Sequence, residues 1–232
     1  MFTAVSVVVF DVNETLSDMS PMGERFREVG ASNELVRLWF AILLRDGFAL
    51  AASGDNGSFA AIGADVLRGL LSGVELDRPL DAAVDHVMGG MQDLGVHPDV
   101  PEGIRALTAA GFRLVTLSNG SAQIAGKLFG DAGIRDEFES LLSVEDAPAW
   151  KPARSSYAYA ATSTGTDPGG MLLVAVHPWD IHGAARAGLK TAWLNRTGDS
   201  YPAYFEAPEF TISALTALPP ALAADAQNKT PH

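Results

Sequence analysis

A chain of 232 residues, 47% hydrophobic and 19% charged, is long enough to bury one large α/β core, with or without an insertion. Its net charge of -12 excludes a basic patch able to dominate the field around nucleic acid, and equally excludes attraction to an anionic membrane surface. The absence of cysteine excludes disulfides, thiolate nucleophiles and cysteine-held metals.

The opening MFTAVSVVVFD is apolar but lacks a basic flank, and Asp11 interrupts it. No run approaches the ~18 apolar residues of a membrane span, so a soluble, cytoplasmic protein is expected. Val5–Phe10 reads as a buried parallel strand, a continuous β-branched run with little alternation. From 17 to 97 no strong strand appears. Three helical patterns stand there instead, at 31–51, 58–73 and 80–95. That stretch is far longer than an ordinary crossover, which predicts a helical cap over the C-terminal end of the first strand.

Beyond it, strands at 112–118, 171–177 and 191–194 alternate with helices at 101–111, 121–133 and 179–189. Pro101 and Gly111 bracket the first of these helices, and Ser121 caps the second. The expectation is an α/β fold, a Rossmann-like doubly wound parallel sheet with an inserted helical cap domain. The core takes residues 1–16 and 98–223, the cap 17–97, and a flexible tail 224–232.

In open parallel sheets ligands bind at the carboxyl ends of the strands. The first strand delivers Asp11, Asn13 and Thr15, the second Ser118 and Asn119, the third His177, Trp179 and Asp180. Lys151 lies between the last two, in AWKP. Asp11 is either a nucleophile, a metal ligand or a turn residue, and the lysine and second carboxylate favour the nucleophile. Ser118 and Asn119, where a strand meets a helix, suit an anion. Asp180 suits a helix start. His177 reads as a donor, a base, or a ring fixed by a helix-start hydrogen bond. Tyr157 reads as a pocket border or a half-buried aromatic. Trp39, Phe40, Phe59 and Trp179 read as walls of an apolar pocket or as plain core.

DVNET, LSNG, KP and WD, in this order on successive strand ends, resemble the haloacid dehalogenase superfamily. TLSNGSAQ, LLSVED and WLNRTG bring the likeness closest to its 2-haloacid dehalogenase branch, over about residues 5–220. The resemblance implies a hydrolase without cofactor or metal, acting on a small carboxylate substrate and forming a homodimer. In it Asp11 is the nucleophile, Thr15 fixes its rotamer, and Lys151 holds it ionised. Ser118 and Asn119 take the substrate carboxylate, and Asp180 orients Lys151 and activates water. A phosphatase of the superfamily wants an aspartate where Asn13 stands, and magnesium ligands that Ala175, Val176 and Pro178 cannot supply. A fold that binds an anion or a protein without turnover is the further alternative.

The chain also departs from the branch. The halide-binding arginine expected after Leu38-Trp39 is Phe40, a tyrosine is Asn13, and a serine and an asparagine are Ala175 and His177. Arg45 lies five positions on. That is about 500° of helical rotation, which takes it off the face of Phe40.

Overall fold

The computed structural model describes residues 4–228. Strand β1 (Val7–Phe10) is fully buried. Hydrogen bonding on both edges and burial on both faces explain why it tolerates no polar residue until its end. The chain then enters a short ribbon strand β2 (Ser17–Asp18) and four helices: α1 (Met22–Arg27), α2 (Leu35–Ser53), α3 (Phe59–Leu71) and α4 (Leu80–Gly90). It leaves through β3 (Gly95–Val96), which pairs antiparallel with β2 and ties the two ends of the insertion together.

The remainder alternates: α5 (Val100–Ala109), β4 (Arg113–Ser118), α6 (Ala122–Asp131), β5 (Ser140–Ser143), α7 (Arg154–Thr164), β6 (Met171–Ala175), α8 (Pro178–Ala187), β7 (Lys190–Leu194), β8 (Phe210–Ile212) and α9 (Leu218–Asn228). The described residues form a six-stranded parallel sheet in the order β5-β4-β1-β6-β7-β8. The chain winds outward on one side of β1 and then on the other, as a doubly wound sheet must. Val9 pairs with Val115 and with Leu173, so β1, β4 and β6 end within two residues of one another. The crevice therefore opens at the reversal of strand order.

The insertion has apolar packing of its own. Trp39, Leu43, Leu67, Val84 and Val87 are buried, and Trp39 Nε1 donates to the Gly63 carbonyl at 3.0 Å, joining α2 to α3. Among the described residues no helix is long and apolar enough to cross a membrane. Residues 224–228, expected to be a flexible tail, continue α9; residues 229–232 lie outside the described residues. The helix survives its polar end because Leu218 and Leu222 are buried at its start.

Candidate active site

Asp11 follows the last residue of β1, where the sheet can no longer cover a side chain, yet it is only 3% exposed. A buried carboxylate needs donors. Thr15 Oγ1 donates to Oδ2 at 2.6 Å and Lys151 Nζ to Oδ1 at 2.9 Å. Thr15 is one turn beyond Asp11, and its hydroxyl also accepts the Val176 N–H at 3.1 Å, which locks it between β1 and β6. Arg196 Nη1 donates to the Thr15 carbonyl at 2.9 Å, and Asp99 holds that guanidinium at 3.0 Å.

Lys151 is wholly buried. Its ammonium bridges Asp11 and Asp180, with Nζ to Asp180 Oδ2 at 2.6 Å. Asn119 seats it: the side-chain amide accepts the Lys151 N–H at 3.0 Å and donates to the Lys151 carbonyl at 3.2 Å. Asn119 thus positions the lysine through its oxygen and one amide hydrogen, and keeps a second amide hydrogen for the substrate role expected of it. Tyr157, expected at the pocket border or half-buried, is fully buried. Its hydroxyl donates to Asp180 Oδ1 at 2.6 Å, behind the site. Gly183 makes room for it, since a Cβ there would lie 2.6 Å from the hydroxyl.

Electrostatics separates the two carboxylates. Burial pushes both upward. At Asp11 the Lys151 ammonium, His177 and the Thr15 hydroxyl outweigh it and hold the group below its ordinary value. At Asp180 burial prevails over Lys151, helped by the nearby Asp11 charge, and the group is raised. Burial alone would lower Lys151, but the two carboxylates raise it. Tyr157 is pushed well above the usual phenol range by burial and by Asp180. Asp11 is therefore held ionised with both oxygens oriented, an arrangement that suits a nucleophile, while Asp180 binds a proton more readily than Asp11.

The walls come from both parts of the chain. Ser118 Oγ accepts the Gly120 N–H at 2.9 Å, leaving its own hydrogen to donate. The Asn13 amide lies beside Ser118, where a Cβ on Gly120 would meet it at 3.2 Å. His177 caps the start of α8. Its ring stacks on Trp179 at 5.1 Å and touches Phe40 at 6.1 Å. Phe40 contacts Phe59, which stacks on Trp150 at 6.2 Å; Phe48 of α2 meets Trp179 at 4.9 Å. Trp39 is plain core of the insertion. Arg45 points to solvent and pairs with Asp46.

Sequence reasoning passed over Glu14, Phe48, Trp150, Gly183 and Arg196. The run Ala149-Trp150 before Lys151 and the arginine in WLNRTG are visible signals. Glu14, Phe48 and Gly183 gain meaning only from tertiary contact.

The residues do not fit a magnesium ion. The Lys151 ammonium already sits between Asp11 and Asp180, the position a hard cation would need, and Asn13 adds no carboxylate.

Comparison with known proteins agrees with this architecture. The chain is 30% identical over 214 residues to the (S)-2-haloacid dehalogenase of Pseudomonas sp. (strain YL), covering 91% of both. It is 27% identical to haloacetate dehalogenase H-2 of Moraxella sp. (strain B), covering 92% of this chain and 96% of that one. A solved L-2-haloacid dehalogenase superposes with a TM-score of 0.87 at 26% identity, covering 95% of this chain and all of the other. The family model described as haloacid dehalogenase-like hydrolase matches residues 5–188. Fold, strand-end site and family match coincide over most of the molecule: the chain belongs to the haloacid dehalogenase-like hydrolases.

Proposed function

We propose that this protein hydrolyses the carbon–halogen bond of a small 2-halo carboxylic acid through an ester at Asp11, without a metal. The observation that carries the reading is the buried Asp11–Lys151–Asp180 bridge, with Thr15 fixing the nucleophile. An Asp11 oxygen attacks C2, and the halogen leaves with the bonding pair, so no general acid is required. Water then adds to the Asp11 carboxyl carbon. Asp180, the raised partner, takes one of its protons. The acyl carbon–oxygen bond breaks, the proton on Asp180 passes to the departing alkoxide oxygen, and the 2-hydroxy acid leaves with an oxygen from Asp11. Water has replaced that oxygen, and its second proton is lost to solvent as Asp11 ionises again.

Ser118, whose hydroxyl hydrogen is left to donate, and the side-chain amide of Asn119 receive the substrate carboxylate, with Asn13 beside them. Phe40, Phe59 and Trp179 wall off water. The relatives named for 2-haloacid and haloacetate dehalogenation support the substrate class. The cysteine-free sequence is compatible with a reducing, cytoplasmic setting, and a homodimer rests on the resemblance alone.

The test is chloride release from 2-chloropropionate and chloroacetate with EDTA present, beside p-nitrophenyl phosphate with magnesium. Turnover of the haloacids, undiminished by EDTA and abolished by Asp11→Asn, is expected. In Asp180→Asn protein, mass spectrometry should find the Asp11 peptide heavier by the acyl-bound acid. Phosphate release without halide release refutes the reading.

A further inference from the structure

We propose that His177 is the anion-receiving donor of this site, its Nε2–H holding the halide as it leaves C2. The assignment rests on the dehalogenase reading given above. Three oxygens surround this one nitrogen: the Asn13 carbonyl at 3.2 Å, Asp11 Oδ2 at 3.6 Å and Glu14 Oε2 at 3.7 Å. A ring nitrogen that faces acceptors only carries the hydrogen. Through this nitrogen His177 donates, and it is not the base that activates water.

Among the described residues, the basic side chains within ion-pair range of Asp11 are Lys151 and His177. Lys151 is wholly buried and bound to both carboxylates. Phe40, against the histidine ring, offers no donor. His177 is 12% exposed, so it is the one of the two with an open side.

The geometry suits an in-line displacement. The attacked carbon approaches a nucleophile to about 3–3.5 Å, and the leaving atom stands one bond further. An anion at hydrogen-bond distance from Nε2 falls within that span, since Nε2 is itself 3.6 Å from the nucleophilic carboxylate. The new halide takes the electron pair of the C2–halogen bond and consumes no proton, so a donor is all it needs.

Glu14 shows that an anion is accommodated here. Its carboxylate stands 3.7 Å from Nε2, within ion-pair range and just beyond the Asn13 carbonyl at 3.2 Å, and its side chain is 44% exposed. Its backbone has φ 60°, an unfavourable value for a residue other than glycine, held by His97 Nε2 at 3.0 Å from the Glu14 carbonyl. Glu14 and His177 both border a cleft of about 400 Å³, with Trp193, Asn195 and Arg196 on its far wall. That cleft gives a released anion a way to solvent.

The experiment titrates iodide alone into the whole protein and reads quenching of Trp179, stacked on His177. Saturable quenching is expected, absent in Trp179→Phe. In His177→Gln, and in His177→Asn as a second variant, iodide should bind at least about tenfold more weakly, the loss of a charge-assisted hydrogen bond. Glu14→Gln should bind it more tightly by removing the competing carboxylate. Unchanged affinity in both histidine variants, or quenching that never saturates in the unmodified protein, overturns the proposal. Because no turnover is needed, iodide binding as described without chloride release from 2-chloropropionate sinks the dehalogenase reading and leaves the donor assignment standing.

Discussion

Lys151 stands between two carboxylates out of contact with solvent, and this decides what substitutions do to the site. Lys151→Met leaves both carboxylates buried without their cation and should cost about 3–5 kcal/mol in chemical denaturation. The pH dependence has a definite sign. Asp11, held below its ordinary 3.8, contributes stability above its unfolded value and loses it as pH falls through the lower folded one. Lys151, raised above 10.5, contributes below its unfolded value and loses that as pH rises through the folded one. Asp180 is raised, so its ionisation weakens the fold as pH rises above 3.8, opposing Asp11 in the acid range. The acid midpoint of single-turnover halide release should therefore lie below 3.8. An acid limb near neutrality would show that Asp11 is not held ionised. Tyr157→Phe removes the hydroxyl from Asp180 Oδ1; it should cost about 1–3 kcal/mol and slow ester hydrolysis more than halide release. Asp11, Thr15, Lys151 and Asp180 were legible in the sequence because three of them sit on or just after strand ends and the lysine sits in a recognisable WKP run. The service of Asn119 and Tyr157 was not legible, since each finds its partner 23 or more residues away through tertiary approach.

Two glycines set how closely the elements can approach the site. Gly47 of α2 packs on Trp150, where a Cβ would lie 2.4 Å from the indole, and this seats the insertion against the segment that carries Lys151. Gly183 does the same between α8 and α7. Gly47→Ala and Gly183→Ala should each destabilise by about 1–3 kcal/mol, seen as a lower melting temperature, because neither a buried indole nor a buried phenol can yield freely. An unchanged melt in both would show that these contacts are slack. Strands β1, β4 and β6 were legible as apolar β-branched runs. Strands β5 and β8 were not: SLLS and FTI are too short and too mixed to signal, and each is an edge with one neighbour to satisfy. The end of α9 carries no signal in the sequence because its last residues are polar, while its anchor, Leu218 and Leu222, lies earlier.

At the scale of the molecule, a net charge of -12 faces the anionic substrate of the proposed reaction. Long-range repulsion should slow encounter, so kcat/KM for 2-chloropropionate should rise as a non-halide salt goes from about 10 to 150 mM, over which the Debye length shrinks from ~30 to ~8 Å. A fall would mean that a local positive field at the cleft outweighs the whole. The aromatic contacts Phe48–Trp179 and Phe40–His177 join the insertion to the start of α8, and Asp11 is buried, so on the proposed route the water of hydrolysis is a selected molecule rather than bulk solvent. Where that water's oxygen goes is the most direct measure of the ester route. In one turnover with enzyme in excess, run in heavy-oxygen water, the label should enter the peptide carrying Asp11 and be absent from the released 2-hydroxy acid. Label in the product with Asp11 unlabelled would mean that water attacks the substrate directly, and the ester at Asp11 would be contradicted.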